Sequence, residues 1–325
     1  MHFTTLVGVA AVLAESASAH YIFSKLVVNN QVSNDWEYIR QTTRQVNYYP
    51  TKFYKTFDNL TPNDNDFRCN LGSFQNAGKT KVATVAAGDT LGMKLFYDAK
   101  VQHPGPGQVW MSKAPSGNVK EYEGDGEWFK IWEKTLCNEN GDLTKDAWCT
   151  YGMDRFEFQI PKDTPAGEYL VRAEHMGLHG AQANEAEFYY SCAQVKVTGD
   201  GNGAPAQTYK IPGLYNDNMV LFNGLNLWVD KAAQINADIA KTPVGDAPWT
   251  GGGSAQQSSS GNDKSQNESQ TQDQSQAQNQ NQNQGASTPS NGNSWNSWNP
   301  WSKQNAAAQG SDATHTDANC NGGMH

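Results

Sequence analysis

The chain has 325 residues, 18% of them charged, and a formal net charge of −9 at pH 7. That acidic balance argues against nucleic acid and anionic membranes as partners. Past residue 19 no stretch is long and apolar enough to span a bilayer, and the hydrophilic C-terminus carries no lipid-anchor signal.

Residues 1–19, MHFTTLVGVAAVLAESASA, read as a signal peptide. The apolar run at 4–14 is too short for a membrane helix, and Ala17-Ser18-Ala19 is a small-residue cleavage site. The expected protein is therefore secreted and extracellular. A cut after Ala19 removes one acid, Glu15, and no base, so the charge goes from −9 to −8. It also makes His20 the first residue, whose α-amine and imidazole Nδ1 can close a chelate ring on one metal without help from the fold.

Beyond the cut, several segments alternate with period two, the mark of half-buried strands. Leu91, Met93, Leu95 and Tyr97 would share a face, as would Phe156, Phe158 and Ile160. Residues 168–173 follow the turn Thr164-Pro165-Ala166-Gly167. Residues 187–197, EFYYSCAQVKV, put Tyr189, Ser191, Ala193, Val195 and Val197 on one side and Phe188, Tyr190 and Cys192 on the other. Turn chemistry at Ala87-Gly88-Asp89 and Pro115-Ser116-Gly117-Asn118 separates such runs. The best helix candidate is 227–240, ahead of Pro243. Many short strands at this spacing predict an all-β fold, an antiparallel sandwich.

Five cysteines in an exported chain predict disulfides. Cys137 and Cys149 bracket the polar loop NENGDLTKDAW, and Cys69 can pair with Cys192 across the domain, leaving Cys320 over. Thiols so paired do not ligate metal, so a metal site would use nitrogen and oxygen. Of seven histidines, His2 leaves with the signal peptide and His315 and His325 lie far downstream, so the domain keeps His20, His103, His175 and His179. His103 opens HPGPGQVW, a rigid turn suited to presenting an imidazole. His175 and His179 have the i, i+4 spacing of a zinc pair, but Gly177 and Gly180 argue against a helix there, and His175 reads as a buried structural residue.

Composition changes near Gly251. Residues 20–251 are expected to form one domain, and 252–325 a disordered, Gln/Asn/Ser-rich linker and tail with too little to bury. The tail carries Trp295, Trp298 and Trp301, which would share one face in a polyproline-II conformation. Asn59 and Asn267 open glycosylation sequons, the first weakened by Pro62.

Taken in order, a set of motifs resembles the fungal lytic polysaccharide monooxygenases of auxiliary activity family 9, once classed as family 61 glycoside hydrolases. They are the signal peptide followed by His20, WEYIR at 36–40, FRCN at 67–70, and AGDTLGMKLFYDAKVQHPGPGQVWMSKAPSG at 87–117. GDGEWFKIWE at 124–133, GEYLVRAEHMGLHGAQ at 167–182, EFYYSCAQVKVTG at 187–199, YKIPGLYNDN at 209–218 and APWTG at 247–251 complete the set. The resemblance implies an immunoglobulin- or fibronectin-like β-sandwich whose long loops form a flat face bearing one copper ion. It implies copper held by the amine and Nδ1 of His20 and by Nε2 of His103, with Tyr189 axial and His179 as a hydrogen-bonding neighbour. Amine and imidazole nitrogens suit Cu(II) independently. It further implies a monomeric enzyme that takes electrons from an external donor and uses H2O2 or O2 to hydroxylate C1 or C4 of a β-1,4-glucan such as cellulose. Tyr215, with Trp228 behind it, is the candidate platform for sugar rings. One departure stands out: the family pattern has Gln two residues before the axial Tyr, and here that residue is Glu187. An ionised Glu accepts hydrogen bonds but cannot donate them, so either Glu187 is protonated or paired with a cation and shifts the pH dependence or reactivity, or the substitution is tolerated with little effect. A two-carboxylate hydrolase and a non-catalytic copper or cellulose binder are the rival readings.

Overall fold

The computed structural model describes residues 20–241 and 244–253. The signal peptide, Trp295, Trp298, Trp301, Asn267 and Cys320 lie outside them. Among the described residues nine strands form two sheets: β1 (Phe23–Val28), β2 (Gln31–Val32), β3 (Ala83–Ala86), β4 (Thr90–Leu95), β5 (Gly107–Lys113), β6 (Phe129–Lys134), β7 (Arg155–Gln159), β8 (Gly167–Gly177) and β9 (Glu187–Thr198). One sheet runs β2-β1-β4-β7 and the other β3-β9-β8-β5-β6. Every pairing is antiparallel except β3 with β9, which is parallel.

Alternation along the strands places the core. Phe23, Leu26, Leu91, Met93, Leu95, Phe156 and Phe158 of the first sheet meet Val109, Met111, Val171, Ala173, Tyr189, Ala193 and Val195 of the second. The other side of the second sheet is covered as well. Trp110, Leu170, Met176, Phe188, Tyr190 and Cys192 pack under loop residues including Phe67, Trp128, Trp148, Tyr215 and Phe222. The two registers of β9 read from the sequence therefore correspond to two separate apolar layers, and β8 and β9 are buried on both faces.

Three expectations change. Tyr97 does not continue the β4 face: the strand ends at Leu95, Tyr97 turns through φ 51°, and its side chain is exposed. The helix near the end is α1 (Ala232–Lys241), later than the periodicity suggests. Residues 226–230 instead form a turn, in which the Asn226 side chain accepts from the Trp228 amide at 3.1 Å and Asp230 accepts from the Asn226 amide at 2.6 Å. The Cys69–Cys192 disulfide is present, but Cys137 and Cys149 are both free thiols. They stand close enough for burial and then the neighbouring Cys137 sulfur to push the Cys149 thiol up to about 11. The backbone hydrogen bonds from Cys137 to Ala147 (3.0 Å) and from Cys149 to Thr135 (3.0 Å) close the loop without a bridge.

The closing segment returns to the second sheet. The Trp249 amide donates to the Lys130 carbonyl at 2.7 Å, the Trp249 ring meets Phe129 edge-on, and the Gly252 amide donates to Asp163 at 2.7 Å. No helix among the described residues is long and apolar enough to cross a membrane.

Candidate metal centre

Strand register brings the histidines together. Gly107, at the start of β5, pairs with His175 of β8, which pairs with Tyr189 of β9; one step further out, Gly177 pairs with Glu187. The loop entering β5 and the loop leaving β8 therefore emerge side by side, carrying His103 and His179. His20 and Tyr21 lead into β1 of the opposite sheet, and the Tyr21 ring stacks on Tyr189 with centroids 4.3 Å apart. Two glycines make the approach possible. A Cβ on Gly105 (φ 152°) would lie 1.8 Å from the Met176 carbonyl oxygen. At Gly177 a Cβ would come within 3.2 Å of the His103 Cβ and 3.5 Å of both Glu187 and His179. Larger residues would push these loops off β8.

The resulting cluster contains His20, His103, His179, Glu187 and Tyr189. His103 and His179 stack with centroids 4.2 Å apart, and the His20 ring stands 5.8 Å from His103 and 6.1 Å from Tyr189. Glu187 lies at the centre. Its Oε2 accepts from the Tyr189 hydroxyl at 2.5 Å and faces His103 Nε2 at 3.6 Å and His179 Nε2 at 3.7 Å. Its Oε1 faces His20 Nε2 at 4.0 Å. His20 and His179 remain about a third exposed, whereas Glu187 is 5% exposed and Tyr189 is buried. The centre thus opens to solvent through its histidines and is floored by the carboxylate and the phenol.

Electrostatics keeps the imidazoles able to donate lone pairs. Burial, then the neighbouring His179, pushes His103 down to about 4, so it is neutral near pH 7. Burial likewise lowers His179. For Glu187, burial alone would raise the carboxyl, but the Tyr189 hydrogen bond, then attraction to His179 and His103 once acid protonates them, and to Lys52, bring it below its ordinary value. Burial and the Glu187 charge raise Tyr189 well above the usual phenol range, so it is a protonated donor.

Do these residues fit a metal? One ligand atom each from His20, His103 and Glu187 lies within 4.8 Å of the others. His103 Nε2 is buried with no hydrogen-bond partner, the condition in which a lone pair can serve a cation. Two imidazoles brought this close are nitrogen donors of the kind Cu(II) favours. The set fits copper.

The expected site residues meet at this end of the second sheet, with three corrections. His103 is partly buried, at 13%, rather than presented on an exposed turn. Tyr215 is no platform: it is buried, donates its hydroxyl to Glu174, and packs edge-on against Phe67 and Phe188. Trp228 is exposed on the turn before α1 instead of lying behind another ring. His175 is the buried structural residue the sequence suggests, with Nδ1 2.8 Å from the Tyr21 hydroxyl and burial pushing it down to about 3. Sequence reasoning missed Tyr21, the stacked pair Tyr49 and Phe57 beside His20 (4.4 Å between centroids), and Lys52. All but Tyr21 lie in a loop with no periodicity to read.

Comparison with known proteins completes the picture. Residues 20–232 match the model of Auxiliary Activity family 9, formerly GH61. The AA9 family lytic polysaccharide monooxygenase D of Aspergillus tamarii is 53% identical over 219 residues, covering 67% of this chain and 79% of its own. The AA9 family lytic polysaccharide monooxygenase A of Aspergillus fumigatus is 49% identical over 259 residues, covering 80% of this chain and 86% of its own. Among solved structures, a cellulose-active polysaccharide monooxygenase from M. thermophila superposes with a TM-score of 0.52 at 28% identity, over 65% of this chain and 94% of that one.

Proposed function

The chain belongs to auxiliary activity family 9, and from that premise we propose that His20 and His103 would hold its copper, with Tyr189 and His179 as the neighbouring side chains of the site. The protein is a copper-dependent oxidoreductase that cleaves polysaccharide oxidatively, drawing on an external reductant. The observation that carries the assignment of residues is the buried, unpartnered Nε2 of a neutral His103 facing the ring of His20. The α-amine of His20 supplies the third nitrogen once residues 1–19 are removed, so secretion and activity depend on the same cut.

Bound copper supplies the one-electron chemistry that, with H2O2 or O2, hydroxylates C1 or C4 of a β-1,4-linked glucan. The protein's own residues set the conditions. His103 stays unprotonated and can ligate. Tyr189 keeps its proton and gives it to Glu187 as a hydrogen bond, so the phenol is fixed in direction. His179, partly exposed, is the group placed to hold or pass a proton at the rim. Exposed aromatic residues, among them Tyr97 and Trp228, with Phe57 beside His20, are candidates to meet sugar rings. The substrate class is cellulose or a related β-glucan, and residues 20–251 act as one catalytic domain, a monomer. In support of a domain that runs this far, Trp249 is tied back to the sandwich. The non-catalytic binder finds no support, since the relatives are named as monooxygenases.

The test uses the chain beginning at His20 with Cu(II), ascorbate and amorphous cellulose. Mass spectrometry is expected to show soluble sugars carrying an added oxygen, and none without ascorbate. Unmodified sugar ends appearing without reductant would indicate a hydrolase and overturn the reading.

A further inference from the structure

Lys52 is one residue beyond the point where its loop joins β9. Thr51 and Phe188 exchange both backbone hydrogen bonds, at 3.0 and 2.9 Å. This fixes Lys52 opposite Glu187. Its side chain is 10% exposed and lies over the Phe57 ring at 5.4 Å, with Nζ 3.3 Å from Glu187 Oε1 and 3.7 Å from Glu185 Oε2. Lys55 also pairs with Glu185, which leaves Glu187 as the buried partner of Lys52.

The two oxygens of Glu187 are thus divided: Oε2 holds the Tyr189 hydroxyl and Oε1 faces the ammonium. This division matters because the same carboxylate could close on a divalent ion with His20 and His103. A carboxylate beside a dication gains strongly in a poorly solvated place. Only another fixed cation or a change of side chain opposes that pull. Gln, which the family pattern has here, is neutral and needs no such counterweight; Glu does.

We propose that Lys52 is a positioning residue that holds the Glu187 carboxylate off the copper, preserving a nitrogen-ligated metal in a site that carries an acid. This rests on His20 and His103 holding the copper, and its test separates the two claims. Cu(II) is added to the chain beginning at His20 and to its Lys52→Met, Lys52→Arg, Glu187→Gln and Lys52→Met/Glu187→Gln variants. Binding is followed by electron paramagnetic resonance and by competition titration. Lys52→Met is expected to change the copper spectrum to that of a site with an added carboxylate oxygen. It should also tighten Cu(II) and Zn(II) binding by about tenfold, the lower end of the range by which outer partners alter metal affinity, here as a gain because Lys52 draws the carboxylate away from the metal. Lys52→Arg should keep the parent spectrum, and the double variant should match Glu187→Gln. An unchanged spectrum and affinity in Lys52→Met overturns the proposal. So does a double variant that differs from Glu187→Gln, a comparison that does not require Lys52→Met itself to fold. A parent protein without nitrogen hyperfine structure overturns the copper assignment instead.

Discussion

Strands β8 and β9 support two clusters built from the same three parts: a carboxylate, a tyrosine hydroxyl and a cation. In the first, Arg172 and Glu174 pair through two contacts of 2.7 and 2.9 Å, Tyr215 donates to Glu174, and all three are buried. Phe67 and Tyr190 lie against the guanidinium. Burial would lower Arg172, but Glu174 and Tyr215 outweigh it and the charge is fixed. In the second, Glu187 has Tyr189 and Lys52, but its other neighbours are three imidazoles reaching solvent. The parts are alike and the surroundings differ. Aromatic walls make the unit a structural joint; histidines at an open edge make it the floor of a candidate metal centre.

The contrast is broken most severely by truncating each cluster. Arg172→Met leaves Glu174 as an unpaired buried charge and should cost about 3–5 kcal/mol of stability, read as a large drop in melting temperature. His103→Ala should leave the fold close to the parent and abolish copper binding and oxidised products. Equal melting losses in the two variants would mean the clusters are not distinct.

Acid sharpens the contrast next. His103 and His175 are held at about 4 and about 3, below the ordinary 6.5. A depressed folded value contributes stability that is complete above 6.5 and is lost as pH falls towards the folded value. The metal-free protein should therefore melt progressively lower from pH 6.5 down towards 4. Glu187, lowered from 4.5, adds a further loss below that value. Replacing His175 by Gln should flatten the upper part of the slope, and parallel profiles would contradict the assignment.

Smaller effects follow from packing. Gly177→Ala presses on His103, Glu187 and His179 together and should cost about 1–3 kcal/mol by overpacking, with weakened Cu(II) binding. Least of all, Trp228→Ala should change stability by no more than about 0.5 kcal/mol, being exposed, while reducing retention on cellulose in a pull-down. Unaltered retention would remove Trp228 from the substrate face.

Much of this was legible in the chain. Period-two alternation marked β4, whose Leu91, Met93 and Leu95 share the core, β7, where buried and exposed residues take turns, and β9, whose two faces meet different apolar layers; β8 was marked by its apolar run and bounding turn. His20 and His103 stood out through a cleavage site and a Gly-Pro turn. Tyr215 was misread because an aromatic in a loop looks the same whether its hydroxyl meets water or Glu174. Tyr97 was misread because alternation does not show where a strand stops. Lys52 left no signal: its role comes from one bridge, Thr51 to Phe188, between segments far apart in sequence. The neighbouring Cys137 and Cys149 show the same gap, since proximity alone does not form the bond.

The central claim, that His20 contributes two nitrogens, is tested most directly by comparing the copper spectra of two chains, one beginning at His20 and one retaining Ala19. The first should show paramagnetic resonance coupling to three nitrogens. The second, its amine locked in a peptide bond, should lose one of them and bind Cu(II) more weakly. Identical spectra and affinities would contradict the account.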